Sequence, residues 1–541
     1  MQLFHASLGG GITGIETVIS IVNKINKKQI QNKIFKQKKI IFAIIDKDPE
    51  NIPGGVAYGF NKSLYGYFNN PIRLSPSKFT AWALKDSNKL KLINYLNRYG
   101  GYTGKEWIKK NYKTLFSSKK KILQELYLPR VLMNYWMQEK LISTIKKIKI
   151  NNDFVQIKFF KGQVIDIIKN KNKLYELVFK DNLCEELNYE ITNNEFQKLK
   201  FNTKKKINKR LISQNLNIGL GLPPPKQIAS SKAQENNDYI WDFYDKGSTA
   251  YLIKKILLKS KIKKKLIIYF VGYKAGLLEA LPELVKIIVK NNLKIKIICS
   301  SKELQSIQKA ELSSTKKKYK PVVFKKKELF KIDTAEKLYT SIKKEFKLSF
   351  NKNHNNYDAW TYILSNNIIH SIIKNFNFFE KKNYDDYFHG KIRGITRFTY
   401  PETIIARELM FRKKILEAKK ESVRLIDLVK GNLVVTTVNQ KKIIKKYICD
   451  IVVNVSGPLN AEKIKNEIPL INKIKKKGAK TVSGGLLVNN FFEVEGLKNV
   501  YVPGILARGF NPERKTVINA VLNNSNLVAD SISTNMIKKF Y

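Results

Sequence analysis

The sequence predicts an α/β protein: a doubly wound, Rossmann-like domain joined to a second α/β domain of the same kind. Three observations predict it. "HASLGGGITGIETVISIV" sets a glycine-rich turn between a short apolar run and an amphipathic helical pattern. "KLIIYFVGYKAGLLEALPELVKIIVKN" repeats that order in the middle of the chain. Strand-like runs ending in glycine return near the C-terminus, in "KKYICDIVVNVSGPLN" and "LKNVYVPGILARGF". Alternating strands and helices with glycine turns between them are the signature of a parallel sheet covered by helices.

The elements follow in order. "MQLFHASL" is a strand ending at Leu8, and "GIETVISIVNKI" puts Ile15, Val18, Ile19 and Val22 on one helical face. "KKIIFAIID" is a buried strand ending at Asp46. "VQIKFFKGQVIDIIKNKNKLYELVFKD" alternates as hairpin strands do, with a turn near Asn170 to Asn172. "LISQNLNIGLGLPPP" is a strand closed by glycines and by Pro223 to Pro225, which continue neither strand nor helix. The second unit gives a strand to Val271, a turn, a helix and the strand "LKIKIICSS". Residues 310–425 are rich in lysine and aromatics, helical in pattern and without assignable chemistry. "VINAVLNNSNLVADSISTNMI" is a terminal amphipathic helix. The expected domains are residues 1–235, residues 236–439 with a helical insertion, and residues 440–541 returning to the first.

The first turn carries the chemistry. Gly9, Gly11 and Gly14 fit G-x-G-x-x-G, with a strand before and a helix after. The first glycine permits the tight turn, the second lets a pyrophosphate approach the backbone, and the third lets helix pack on strand. Phosphates then meet free N–H groups and the positive end of the helix dipole. Thr13 lies inside this turn and is counted with it. Asp46 stands at the end of the second strand, where an acid holds a ribose hydroxyl. It lies about 32 residues past Gly14, against a usual spacing of about 20. A longer helix and loop through "NKINKKQIQNKIFKQKK" would absorb the excess.

Composition narrows the function classes. The 541 residues carry a net charge of +57, from 101 Lys and Arg against 44 Asp and Glu. The lysines are scattered, and they accompany heavy use of Asn, Ile, Tyr and Phe, all favoured by AT-rich codons. The charge reads as genomic bias, with non-specific attraction to anions and no specific nucleic-acid site. Cys184, Cys299 and Cys449 form no CxxC pair, and His5, His354, His370 and His389 form no HExxH, so no metal site is expected. No apolar run reaches the roughly 20 residues of a membrane span. A turn beginning at residue 9 leaves no room for a signal peptide, so a cytoplasmic location is expected. No paired carboxylates, Ser-His-Asp order or Cys–His dyad is visible.

The motifs do not stand alone. "PGGVAYG", "YFNNPIRLSPSKFTAWAL", "YLPRVLMNYWM", "GLGLPPP", "GPLN" and "VPGILARGFNPERKTVINAV" follow in that order. This series resembles the bacterial FAD/NAD(P)-binding family that includes FAD-dependent urate hydroxylase. It is similar, more distantly, to flavin monooxygenases that hydroxylate amines. The resemblance runs from Leu8 to about Asp530 and is poorest in the middle third. It implies a discontinuous FAD-binding domain with a degenerate NAD(P)-binding-like domain. FAD would lie over Gly9 to Gly14, with Gly55, Val56, Ala57, Tyr58 and Asn70 approaching the flavin side. Val164 would lie near the adenine. Gly221 and Gly457 would end strands beside the cofactor, and Gly504, Arg508, Gly509 and Thr516 would return to the flavin. Arg130 joins this set, and with Tyr58 and Arg73 is a candidate for orienting flavin or substrate.

This chain departs from the family pattern in the second turn. Gly272 is kept as the nicotinamide-side glycine, while Lys274 replaces the second glycine and Leu277 the third small residue. "CSSK" supplies no acid for a ribose, which favours NADPH over NADH as the nicotinamide, if one binds. Ile505 stands where many flavoproteins have Asp. The implied activity is an FAD-dependent oxidoreductase, monooxygenase-like, reduced by NAD(P)H and acting on a small molecule. The alternatives are an FAD protein that takes electrons from a donor protein, a flavin-free relic, and a basic polyanion-binding protein.

Overall fold

The computed structural model describes residues 1–26, 39–60, 65–119, 123–151, 154–207, 210–245, 247–273, 275–302, 304, 308–309, 319–325, 331–350, 356–377, 379–380, 383–384, 398–459, 461–482, 484–508 and 517–540. The expected α/β architecture is present. A large sheet has at its centre four parallel strands, in the order Ile212–Ile218, Gln2–Leu8, Ile40–Asp46 and Val155–Lys161. His5 pairs with Phe42 on one side and Asn215 on the other. Chain order therefore reverses at the first strand, and the crevice beyond Leu8 and Ile218 is the switch point at which such sheets bind ligands.

Antiparallel strands extend both flanks of this sheet. The hairpin Val164–Lys169 and Tyr175–Phe179 turns through Asn170, whose N–H donates to the Leu174 carbonyl at 2.8 Å. A second, longer hairpin, Glu185–Asn193 with Gln197–Lys206, covers the other end and was not anticipated from sequence. Val155–Lys161 belongs to no hairpin; it runs parallel to the second strand. The short strand Val500–Tyr501 lies beside Ile212–Ile218.

The first helix, Ile12–Ile25, is 14 residues long and buries Ile15, Val18, Ile19 and Val22 as its pattern requires. It ends at Ile25 instead of extending, and residues 27–38 of the polar stretch lie outside the described residues. The terminal helix Val517–Phe540 packs along it through the Ser20–Asn526 hydrogen bond at 2.9 Å and the Lys24–Asp530 ion pair.

The second sheet is wholly parallel: Leu416–Lys419, Lys294–Ser300, Lys265–Val271, Ile451–Asn454 and Tyr239–Ile240. Ile268 and Phe270 face a helical layer containing Leu277, Leu281 and Met410. Tyr269 and Val271 face a three-stranded antiparallel sheet, Glu421–Val429, Asn432–Asn439 and Ile444–Cys449. The expected boundary after residue 439 thus falls between two strands that pair with each other, and the strands of the second unit run on to Asn454. Asp450 breaks the apolar run, and chain direction changes sheet there. Helices Ala335–Phe350, Asn356–Ser365 and Asn367–Asn375 form a separate apolar cluster around Phe346, Trp360 and Ile363.

Candidate functional site at the first glycine turn

Backbone geometry explains each glycine of the first turn. Gly9 has a φ of +109°, and its N–H donates to the Ile45 carbonyl at 2.8 Å. A Cβ on Gly9 would stand 2.5 Å from the Gly219 carbonyl oxygen, and one on Gly14 would stand 2.1 Å from the Gly9 oxygen. Neither position admits a side chain. Gly11 faces Gly55, whose Cα would lie 3.4 Å from a Gly11 Cβ. The first helix begins at Ile12 behind Gly11, with no side-chain cap. Its first turn therefore keeps N–H groups that the helix itself cannot satisfy.

Asp46 closes onto this turn. Its Oδ2 accepts from the Gly10 N–H at 2.7 Å, and its Oδ1 from the Asp48 N–H at 2.9 Å. Burial pushes its pKa above the usual carboxylate value, against the pull of those two hydrogen bonds. Each carboxylate oxygen has further acceptor capacity for a hydroxyl. Gly162, two residues before Val164, donates its N–H to the Asp46 carbonyl at 2.9 Å. Buried Val164 thus begins its strand beside the same strand end.

The C-terminal block also reaches the turn. A Cβ on Gly504 would lie 3.4 Å from the Thr13 side chain. The Thr13 carbonyl accepts from Thr17 Oγ1 at 2.8 Å and from Ser525 Oγ at 3.4 Å. Ala507–Arg508 forms a short parallel pair with Leu486–Leu487. Gly509 and Thr516 lie outside the described residues.

Two expected glycines sit elsewhere. Gly221 has a φ of +75° and no atom within 4 Å of a Cβ; the residue that touches the turn is Gly219, two positions earlier. Gly457 follows a strand of the second sheet, so it ends that sheet's strand, not one beside the first turn. "GLG" offers two equivalent glycines to a sequence reading, and the Leu8–Gly219 hydrogen bond, 2.8 Å, together with the contact of Gly219 with Gly9 and Gly14 distinguishes them.

The loop after Asp46 is braced from below by the helix Val131–Asn151. Gln138 Nε2 donates to the Ile52 carbonyl at 3.1 Å, and Asn134 lies under Gly54. In Gly55–Tyr58, Val56 and Tyr58 are half-buried and Ala57 is exposed. Asn70 is half-buried as well. Burial pushes the Tyr58 hydroxyl up to about 12, with the Arg130 guanidinium opposing it. Arg130 itself is committed: its Nε donates to the Tyr67 carbonyl at 2.8 Å and its Nη1 to Glu279 Oε2 at 2.8 Å. Arg73 pairs with Glu125 at 2.7 Å. Arg130 thus joins the two units, and Arg73 works within the first.

The second turn has the same backbone and different chemistry. Gly272 has a φ of +111° and donates to the Ser300 carbonyl at 2.8 Å. A Cβ there would lie 2.9 Å from the Ser456 Cα. Lys274 lies outside the described residues. Leu277 is fully buried in the core. The small residue that permits close packing is instead Gly276, whose Cβ would stand 2.8 Å from Val455 Cγ1. From the helix Ala275–Lys290, Glu283 accepts from the Thr103 N–H at 2.6 Å, and Glu279 holds Arg130. Two carboxylates one helical turn apart therefore bind the second unit to the first.

Among the described residues no cluster of His, Cys, Asp and Glu could hold a metal, and no helix is long and apolar enough to cross a membrane.

No family model matches the chain, and no curated protein matches it in sequence. Solved structures match in fold. A Kutzneria sp. 744 ornithine N-hydroxylase, solved with reduced FAD, NADP+ and L-ornithine, aligns with a TM-score of 0.53 and 9% identity over 99% of this chain and 100% of that one. An ornithine hydroxylase from Pseudomonas aeruginosa aligns with a TM-score of 0.52 and 8% identity over 99% and 100%. The likeness shows the fold of flavoenzymes with two dinucleotide-binding domains.

Proposed function

We propose that this chain is an FAD-dependent oxidoreductase, monooxygenase-like, that acts on a small molecule and takes its electrons from NADPH. One observation carries the reading: the first turn joins three glycines that admit no side chain or face bare backbone, an uncapped helix start and the Asp46 carboxylate. These fit a dinucleotide, whose pyrophosphate needs bare backbone and whose ribose needs an acceptor. In this reading Gly9, Gly11, Thr13 and Gly14 hold the pyrophosphate and Asp46 takes ribose hydroxyls. Val164 borders the adenine, while Gly55, Val56, Ala57, Tyr58 and Asn70 line the flavin side. Gly504 and Arg508 close the site from the C-terminal block, and Gly272 serves the nicotinamide. FAD, when bound, supplies the redox chemistry, and the protein supplies position, electrostatics and exclusion of water. The likeness to the family that includes FAD-dependent urate hydroxylase rests on the motifs alone, and names no substrate.

A second reading is favoured by one observation: fully buried Leu277 fills the position matching Gly14. FAD would then be reduced by a donor protein. Visible absorbance of the purified full chain, before and after anaerobic NADPH, separates the readings. A flavin spectrum that bleaches supports the first. A flavin spectrum that persists supports the second. A colourless protein that takes up no added FAD removes both, and leaves polyanion binding as the reading to test.

A further inference from the structure

The large sheet divides where its last parallel strand meets the long hairpin. Val155–Lys161 and Glu185–Asn193 pair at Phe159 with Leu187, Phe160 with Glu186 and Lys161 with Glu185, and the ladder stops there. The next partners in register, Ile157 with Tyr189 and Val155 with Ile191, are not joined. Each strand stays paired on its far side along this length, to Ile40–Asp46 and to Gln197–Lys206. The two strands therefore diverge. Between them lies an open cleft of about 700 Å³, lined also by Ile145, Ile148 and Lys149 of the helix Val131–Asn151.

The cleft presents free backbone. Successive residues of a strand aim their N–H and C=O groups at opposite neighbours. Ile40 donates its N–H to the Phe154 carbonyl at 2.7 Å, and Gly162 donates to the Asp46 carbonyl at 2.9 Å. Even-numbered residues of this strand thus serve the Ile40–Asp46 side, and the backbone groups of Val155 and Ile157 face the cleft. Among the described residues nothing pairs with them there. Open strand edges pair readily with another extended chain. A strand residue fills about 3.3 Å by 4.8 Å by 10 Å, so the cleft has room for about four.

The two faces of the cleft differ. Phe159 lies with Tyr189 and Phe201, at ring-centroid distances of 5.5 and 5.0 Å. On the opposite face Lys158, Lys204 and Lys205 stand 2.9, 3.7 and 3.8 Å from Glu186, so three ammonium groups share one carboxylate. A strand entering here sets apolar side chains against the aromatics and, at alternate positions, acidic ones against the lysines.

We propose that this cleft docks an extended peptide of a partner protein, one in which apolar and acidic residues alternate, by strand addition. The inference is independent of the flavin reading. Its test is fluorescence anisotropy of the full chain with a fluorescein-labelled probe peptide of sequence DVEIEVD. The expected result is saturable binding, weakened about tenfold by Ile157→Pro, the worth of one good hydrogen bond. That substitution removes an N–H facing the cleft and leaves the ladder to Ile40–Asp46 intact, as edge positions allow. Lys204→Glu, on the exposed rim, should weaken binding about fivefold, and it keeps the test open should the proline variant not fold. No binding of the probe overturns the proposal. So does equal binding of the grouped peptide DEEDVIV, which means that net charge alone attracts. Unchanged affinity in both variants places the peptide elsewhere and overturns it too. Displacement of the probe by oligothymidylate as readily as by unlabelled peptide gives the cleft to nucleic acid instead.

Discussion

The two glycine turns share a backbone and differ in what the backbone serves. Both follow seven-residue strands with the same order of exposed, intermediate and buried positions. Gly9 and Gly272 have φ values of +109° and +111°, and each donates its N–H to the end of the neighbouring strand at 2.8 Å. Each also meets the backbone after a third strand, at Gly219 and at Ser456. The resemblance ends with the side chains. Asp46 returns a carboxylate to Gly10 in the first turn, while the second has serines at that point. The glycine at the strand end is thus a requirement of the fold, and the acid and the later glycines are where the two turns differ.

Exchanging residue types between the turns breaks this comparison most sharply at Gly14 and Leu277, which occupy the same spacing. Gly14→Leu should cost more than about 4 kcal/mol and prevent folding of the first unit, because the Gly9 backbone cannot move aside. Soluble yield and urea unfolding will show it, and a near-native midpoint would mean the turn is looser than described. Leu277→Ala, in the opposite sense, should cost about 2–5 kcal/mol by opening a cavity among buried aliphatics. If that loss is absent, Leu277 is not the core residue its burial implies.

The strands leading into the turns provide the next contrast. His5 occupies in the first strand the position held by Ile268 in the second, and both are fully buried. Burial without a partner holds the His5 imidazole neutral, with a pKa down at about 3. Because the folded value is lowered, the unfolded chain takes up the proton first, and stability falls as pH drops below about 6.5. The loss is at most about 1.4 kcal/mol per pH unit until the folded value is reached. His5→Ile should remove this slope between pH 6 and 5, as followed by thermal melts. An unchanged slope would place the acid sensitivity elsewhere.

The smallest effect is expected at Gly276. Gly276→Ala should cost about 1 kcal/mol, since its added methyl meets the Val455 side chain, which can yield where a backbone oxygen cannot. A penalty equal to that at Gly14 would show that the second turn is as tightly built as the first.

Local pattern made much of this legible. The strands that end at Leu8, Asp46 and Val271 and the helix face of Ile15, Val18, Ile19 and Val22 follow from periodicity, which the chain writes residue by residue. The first turn was legible because its glycines are close in sequence. Gly219 was not, because its distinction from Gly221 lies in a contact with a strand more than 200 residues away. The same holds for the pairing of Arg130 with Glu279, and for the change of sheet at Asp450.

By itself, then, the sequence determined the alternation of strands and helices, the first glycine turn and the acid that follows it. These depend on hydrophobic period and on backbone freedom, both properties of short segments. Tertiary structure alone decided which glycine meets the turn, which sheet claims Ile451–Asn454, and where the pairing of Val155–Lys161 with Glu185–Asn193 stops. Those outcomes depend on packing between distant segments, where an ångström decides whether a side chain fits or a polar atom is satisfied.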